Sequence, residues 1–411
     1  MQALQAETAR LTMARQLGAL AGAMALGAAV ILAATLAGRG PSSPSADIPD
    51  DQVVARLSSG PMTQFAGLAP LLTANRAHPD DLAAAMAAAS SLIDAGRKAG
   101  NSRLVGAALG VLRPFLAVDP APETLRLAAE ARQYQHDFNG ALTLLDTAIA
   151  ADPSLVDAVL MRSTIHLVQG DLTAAAADCA RLRAARPDIA FLCQSTALTM
   201  TATAPQVYAR LAGLTATSGL LAPGLVTWAQ SLMGEIALLQ GKPDLGEKNL
   251  KAVLAANPDA LRERMMLADL LLGQNRAGEV TPLLQSAPPV DGVLIRRALA
   301  ARASGDTEAA AQAEAEVAAR VKQNLALGLN AHAREDAMYF LWLANKPAQA
   351  LERAKANWAL QHEFDDARLM IAAAAAAGQP TEALPVLAWM KEQQIVVPSL
   401  TLPASVRAVA P

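Results

Sequence analysis

Five histidines, at positions 78, 136, 166, 332 and 362, and two cysteines, Cys179 and Cys193, are the side chains of this 411-residue chain best suited to hold a metal or act as a nucleophile. Their spacing supports neither chemistry. There is no HExxH, and no two histidines stand four apart, the interval that puts both on one helix face. Two cysteines are too few for a four-thiolate zinc site or a disulfide-built scaffold. The glycines are dispersed: no GxxxxGK[ST] occurs, no GxGxxG follows a strand pattern, and no GxSxG precedes a plausible strand. Serine, histidine and aspartate are present, but spacing alone assembles no triad from them. The expectation is a non-enzyme with no catalytic residue, no metal and no cofactor.

The elements that carry these residues follow from composition. The chain is 53% hydrophobic but only 3% aromatic, and the excess is mostly alanine. Alanine has the highest helix propensity and allows close helix approach, so packed helices are favoured over sheets. At 411 residues the chain is too long for one ordinary core, which leaves several domains or an extended array. The net charge of −3, without a long basic run, argues against nucleic acid as a partner.

The N-terminus differs in character. Between Arg15 and Arg39 lie 23 residues without a charge. As a helix these span roughly 35 Å, enough for a hydrocarbon core of about 30 Å. The expected organisation is an N-terminal cytoplasmic tail (1–16), a transmembrane anchor (17–38) and a Pro/Ser/Asp-rich tether (39–51). A secretory signal is the competing reading, because Thr35-Leu36-Ala37 resembles a cleavage site, although the apolar stretch exceeds the usual signal core. Arg10 and Arg15 before the span favour a cytoplasmic N-terminus. Gly18 and Gly22 form a GxxxG, a spacing that can pair two anchors into a homodimer and is also common in unpaired membrane helices.

Beyond the tether the chain repeats itself. Pro153 and Pro187 stand 34 residues apart, and Pro120 lies 33 before Pro153. In a 34-residue period ending near each proline, position 20 holds Ala141, Ala175, Ala209, Gly246, Ala310, Ala350 and Ala383. Position 8 holds Ala129, Ser163, Ala197, Gly234, Ala268 and Ala298, and Gly170, Gly241, Gly305 and Gly378 mark the turn between halves. Each half is too short to be stable alone as a helix. The small residues let two helices cross closely, and stacking closes the apolar face that a single unit leaves open. This pattern resembles the tetratricopeptide repeat (TPR), with most of its large aromatics replaced. The stretch Arg334 to Ala374 is similar to that of bacterial TPR proteins. The resemblance implies an all-α solenoid of eight or nine helix–turn–helix units over 88–392, a helical cap over 52–87 and a loose or extended tail over 393–411.

The resemblance also implies a binding surface on the concave face, lined by the first helix of each unit. There it places Arg126, Tyr134, Trp228, Glu235, Arg262, Asp269, Arg302, Tyr339 and Trp342. Of these, Trp228, Arg262, Tyr339 and Trp342 have the residue types enriched in binding hot spots. The same residues can instead seal packing gaps. The lysine–asparagine clamp of chaperone-binding TPR proteins is missing, its places reading Arg126 and Glu130, Leu160 and Thr164, Gln194 and Leu198. Cys179 and Cys193 fall on neighbouring helices, as a disulfide between repeats or as two small buried hydrophobes. The implied function is a membrane-tethered scaffold of a bacterial inner membrane, its solenoid in the periplasm, holding a protein or peptide partner in its groove. An assembly factor or chaperone for exported proteins, as in cytochrome c maturation, has the same outline. An enzyme with a site hidden among the helices is the third reading, with no motif spacing behind it.

Overall fold

A computed structural model describes residues 67–99, 101–216, 221–326, 328 and 332–410. The chain divides after Gln64 into two units, and the described residues all belong to the second. The expected tail, anchor and tether, together with residues 52–66 of the expected cap, lie outside the described residues. Among the described residues no helix is long and apolar enough to cross a membrane.

The second unit is an all-α array. Helix α1 (Leu68–Ala77) leads into α2 (Leu82–Ala99), which forms the first hairpin with α3 (Ser102–Leu112). Seven hairpins of similar size follow: α4 (Pro122–Tyr134) with α5 (Phe138–Ala151), α6 (Val156–Val168) with α7 (Leu172–Arg181), and α8 (Pro187–Ala197) with α9 (Ala204–Ala216). Next come α10 (Pro223–Leu239) with α11 (Pro243–Ala256), α12 (Leu261–Gly273) with α13 (Ala277–Leu284), and α14 (Asp291–Ala303) with α15 (Thr307–Ala326). Helix α16 (Ala333–Met338) runs on through a π turn, Tyr339–Leu343, and pairs with α17 (Pro347–Trp358). Helix α18 (Phe364–Ala376) packs on a 3₁₀ turn, Pro380–Ala383, that leads into α19 (Leu384–Glu392). The last helix is the single turn α20 (Ala404–Arg407).

The start and stop signals are local. Proline occupies the first turn of α4, α8, α10, α11 and α17, where its missing N–H costs nothing. Asp137 and Asp171 accept from the backbone N–H groups of Gly140 and Ala174 and so cap α5 and α7. Asp81 does the same for α2 through Ala83 and Ala84. The alanine-rich run after Asp81 is one uninterrupted helix, so the cap boundary at 87/88 falls inside α2 and the first hairpin opens at Leu82.

The small-residue positions are the helix crossings. Ala129, Ala141, Ser163, Ala175, Ala197, Ala268, Ala298, Ala310, Ala350 and Ala383 are all buried. Gly234 and Gly246 mark a close crossing: a Cβ on Gly246 would stand 2.4 Å from Leu238 Cδ2. Ala209 is a correction, being exposed on α9, which buries Ala204, Val207 and Leu211 instead. Helix α8 stops at Ala197, and the threonine-rich turn 198–203 delays α9, so the period slips there. Val280 fills the corresponding crossing in α13 without exposure.

First helices pack on first helices of the next hairpins, α2 on α4, α4 on α6, α6 on α8, α8 on α10, α12 on α14, α14 on α16 and α16 on α18, while side-chain hydrogen bonds join α10 to α12. Second helices mainly touch their neighbours in the chain. First helices therefore sit on the inside of the array's curve, as adjacent helices approach most closely there.

Candidate functional site

The inner face is built by polar side chains that link one first helix to the next. Arg262 on α12 donates to Glu235 on α10 at 2.9 Å, and Ser231 on α10 donates to Glu263 on α12 at 2.5 Å. Arg296 on α14 grips Asp269 on α12 through two nitrogens, at 2.8 and 2.5 Å. Arg97 on α2 reaches Glu130 on α4 at 2.7 Å. The bidentate Arg296–Asp269 contact orients both side chains as well as pairing their charges.

The face is partly enclosed. Arg262 and Asp269 keep side-chain exposures of 54% and 46%. Yet Arg262 is held above its ordinary range chiefly by Glu235, with Glu363 from before α18 adding to it. The Asp269 carboxyl is raised by burial, against the pull of Arg296, and feels Asp365 and Arg368 of α18. The first turn of α18 thus lies within electrostatic reach of α12.

Beside that turn lies a buried ion network. Arg334 on α16 donates to both oxygens of Asp366, at 2.6 and 2.7 Å, and also contacts Glu363. Asp366 further accepts from Asn357 at 2.6 Å and from the Glu363 N–H at 2.9 Å. Burial pushes its carboxyl up to about 6, with Arg334 pulling it back. Asp336, also buried, accepts from Arg353 at 3.1 Å and from Asn324 at 3.3 Å.

The nine expected groove residues divide by what they touch. Glu235, Arg262 and Asp269 come together on the inner face as described. Arg126 is spent on its own helix, pairing with Glu123 at 2.7 Å and Glu130 at 3.1 Å. Tyr134 packs on the core of the first hairpins and donates to the Gly96 carbonyl at 3.4 Å. Trp228 is wedged between two core clusters, beside Leu225. Arg302 pairs with Glu314 and donates to the carbonyls of Trp342 and Leu343, at 3.1 and 2.6 Å, closing the end of the π turn. Tyr339 is half-buried on the C-terminal core, while Trp342 of the same turn is 42% exposed.

The two cysteines are disulfide-bonded, Cα atoms 5.4 Å apart, joining α7 to α8 in a buried spot beside the Ser163 hydroxyl. Among the described residues no group of three or more histidine, cysteine or carboxylate side chains is placed to hold a metal. His166 is half-buried, its Nε2 3.8 Å from Asp178. His136, at φ +61° in the turn of the second hairpin, has a buried Nδ1 without a hydrogen-bond partner. Burial, followed by the charges of His332 and Arg334, lowers it to about 4, with Glu363 opposing. His362 Nδ1 is likewise buried without a partner, its ring edge-on to Trp358 at 4.3 Å between centroids.

Sequence reasoning missed the seam at which the C-terminal units fold back on the middle of the array. The His362 N–H donates to the Val168 carbonyl at 2.7 Å, and the Trp389 indole N–H donates to the Gly170 carbonyl at 3.0 Å. Gln393 accepts from the Leu172 N–H at 3.1 Å, a donor that the start of α7 leaves free. The segment 395–400 is not loose: it is extended over 395–397 and turns at Pro398-Ser399. It forms an antiparallel bridge between Ile395 and Thr201, and its Val396 and Ser399 N–H groups donate to the Met200 and Leu239 carbonyls at 2.7 and 3.1 Å. Val397 is buried with Leu239 and Phe364.

By its hairpin geometry the chain is an α-solenoid of helix–turn–helix units. No family model matches it, and no curated protein matches it either. Similar solved structures include the APC/C hetero-tetramer Cut9–Hcn1, at 12% identity and TM-score 0.48, over 79% of this chain and 62% of that one. The chain thus spans less than two-thirds of that protein's length. Others are a Rap protein complexed with competence and sporulation factor (11% identity, TM-score 0.46, 77% and 95% covered) and a tetratricopeptide repeat protein from Parabacteroides merdae (12%, 0.36, 70% and 97%). Superpositions this loose carry no argument, and the fold assignment rests on the hairpins themselves.

Proposed function

We propose that the protein is a scaffold that holds a protein or peptide partner along the inner face of its solenoid, tethered to a membrane by residues 17–38. The observation that carries this reading is the inner face itself. Successive first helices align accessible carboxylates and guanidiniums there, and Arg262 and Asp269 stay half-exposed although both are paired within the fold. Such a face suits a polypeptide that can exchange ion pairs with it, since alternating charge sets register and excludes like-charged competitors. The tether rests on the charge-free stretch between Arg15 and Arg39, and the arginines before it favour a solenoid on the periplasmic side of a bacterial inner membrane.

The test is site-specific photocrosslinking in intact cells, with the probe placed in turn at Asp269 on the inner face and at Lys248, exposed on the second helix α11. One polypeptide crosslinked from 269 and not from 248, in the membrane fraction, is the expected outcome. Equal crosslinking from both positions would remove the inner face as the binding surface, and a chain found only in soluble fractions would remove the tether.

A further inference from the structure

Among the described residues two buried side-chain polar atoms have no hydrogen-bond partner, and both are imidazole nitrogens, Nδ1 of His136 and Nδ1 of His362. Buried polar atoms are nearly always paired, so two unpaired ones at one interface call for an account. Both stand where the C-terminal units meet the earlier hairpins. His362 packs over the end of α6 with its N–H on the Val168 carbonyl, and Trp358 and Trp389 flank its ring at 4.3 and 6.3 Å between centroids. His136, in the turn between α4 and α5, feels the charges of His332 and Arg334 at the start of α16 and of Glu363 before α18.

A neutral imidazole tolerates such a place because one of its nitrogens carries no hydrogen, whereas a protonated one carries hydrogen on both. Nδ1 would then be a buried donor without an acceptor on a buried charged ring, and both are costly. The surroundings do not offset this. Around His136, His332 and Arg334 repel a cation, Glu363 and Asp366 are held by Arg334, and Arg132 and Asp137 of its own hairpin pair with each other. Around His362 the charged groups are likewise engaged or turned away. Asp171 caps α7, Arg353 and Lys355 of α17 pair with Asp336 and Glu382, and Lys391 of α19 is exposed. Burial lowers both imidazoles, opposed by Glu363 at His136 and by the Gln169 carbonyl at His362.

The contact they sit in is separable from the rest of the array. The C-terminal core, which holds Trp358, Trp389 and Val406, takes no buried residue from before Leu294. The apolar part of the seam is a small cluster of its own, Leu239, Phe364 and Val397. Every hairpin keeps its chain neighbours if the seam parts, so the seam can open locally. Residues 395–402 would stay on the C-terminal core through Ile395, Leu400 and Leu402 and leave Met200 and Leu239 together with it.

We propose that the fold-back of the C-terminal units is an acid-sensitive closure, in which protonation of His136 and His362 parts the seam while the hairpins stay folded. The open seam takes up the two protons more readily than the closed one. The closure is therefore complete above the ordinary histidine value of about 6.5 and weakens as pH falls from there.

The test is native-state hydrogen exchange on the full chain at pH 7 and pH 5, corrected for the intrinsic rate at each pH. Opening at the seam amides of Leu172, His362, Val396 and Ser399 should rise on the order of tenfold more than opening in the middle of α10. A rise no greater than that of α10 overturns the proposal, because acid would then act on the whole array or not at all. In the double variant His136→Asn, His362→Gln the excess rise should fall below about threefold. An undiminished rise there would assign the effect to another group, Asp366 first, and overturn the proposal. If the double variant does not fold, the two single variants are compared instead: each should lose part of the rise, and a full rise in both overturns the proposal.

Discussion

Gly170 offers the sharpest test of the seam, because the array contains its own controls. Gly170, Gly241, Gly305 and Gly378 all adopt positive φ, at +80°, +70°, +75° and +68°, where the chain turns after a first helix. Alanine at any of them incurs the left-handed penalty of about 1–2 kcal/mol. At 241, 305 and 378 nothing lies within 4 Å of an added Cβ, so the cost ends there. At Gly170 the added atom would stand 2.5 Å from Trp389 Nε1 and 2.6 Å from His362 Cβ. Neither can yield cheaply. Trp389 is buried with its indole N–H on the Gly170 carbonyl, and His362 is held by its own N–H on Val168. Losing the buried indole hydrogen bond adds about 1–3 kcal/mol, and the overpacking adds a further 1–3 kcal/mol or so. Gly170→Ala should therefore be destabilised by at least about 2 kcal/mol more than Gly241→Ala or Gly305→Ala. The assay is urea unfolding of the four chains side by side, with hydrogen exchange at Val396 showing whether the loss begins at the seam. Equal midpoints for Gly170→Ala and Gly241→Ala would refute the close approach and with it the fold-back of the C-terminal units.

Two other expectations concern the crossings and the buried imidazole. Ala141→Leu or Ala175→Leu, at fully buried crossings, should cost on the order of 1–3 kcal/mol, whereas Ala209→Leu, exposed on α9, should change stability by about 0.5 kcal/mol or less. Thermal melts of the three variants decide this, and an unaffected Ala141→Leu would show that the residue is not at a crossing. His136, lowered to about 4, binds its proton less readily folded than unfolded. Its contribution is therefore complete above the unfolded value of about 6.5 and is lost as pH falls from there towards 4, a loss of up to about 3 kcal/mol. Urea midpoints followed against pH should show this slope in the native chain and a flatter one in His136→Asn, a residue that tolerates the same positive φ.

How far the fold could be read from sequence depended on the range of the interaction involved. The 34-residue period was legible because each hairpin satisfies local demands: small residues where helices cross, proline in the first turn, aspartate or glycine at the turn. The period slipped where those signals weakened, at the threonine-rich turn before α9. Glu235, Arg262 and Asp269 were legible as first-helix positions because those positions repeat with the hairpin. Tyr134, Trp228 and Arg302 hold the same positions but are taken up by neighbours that a single unit's pattern cannot specify.

What the sequence determined by itself was the repeating unit, since helix propensity, capping and the crossing residues act within some 34 residues. Only the tertiary structure decided that Trp389 and residues 393–400 return to Gly170, Met200 and Leu239, two hundred residues away at the first of these contacts. Curvature is the physical reason. Each hairpin adds a small rotation relative to the last, and only the accumulated rotation brings the C-terminal segment to the carbonyls of Gly170, Met200 and Leu239.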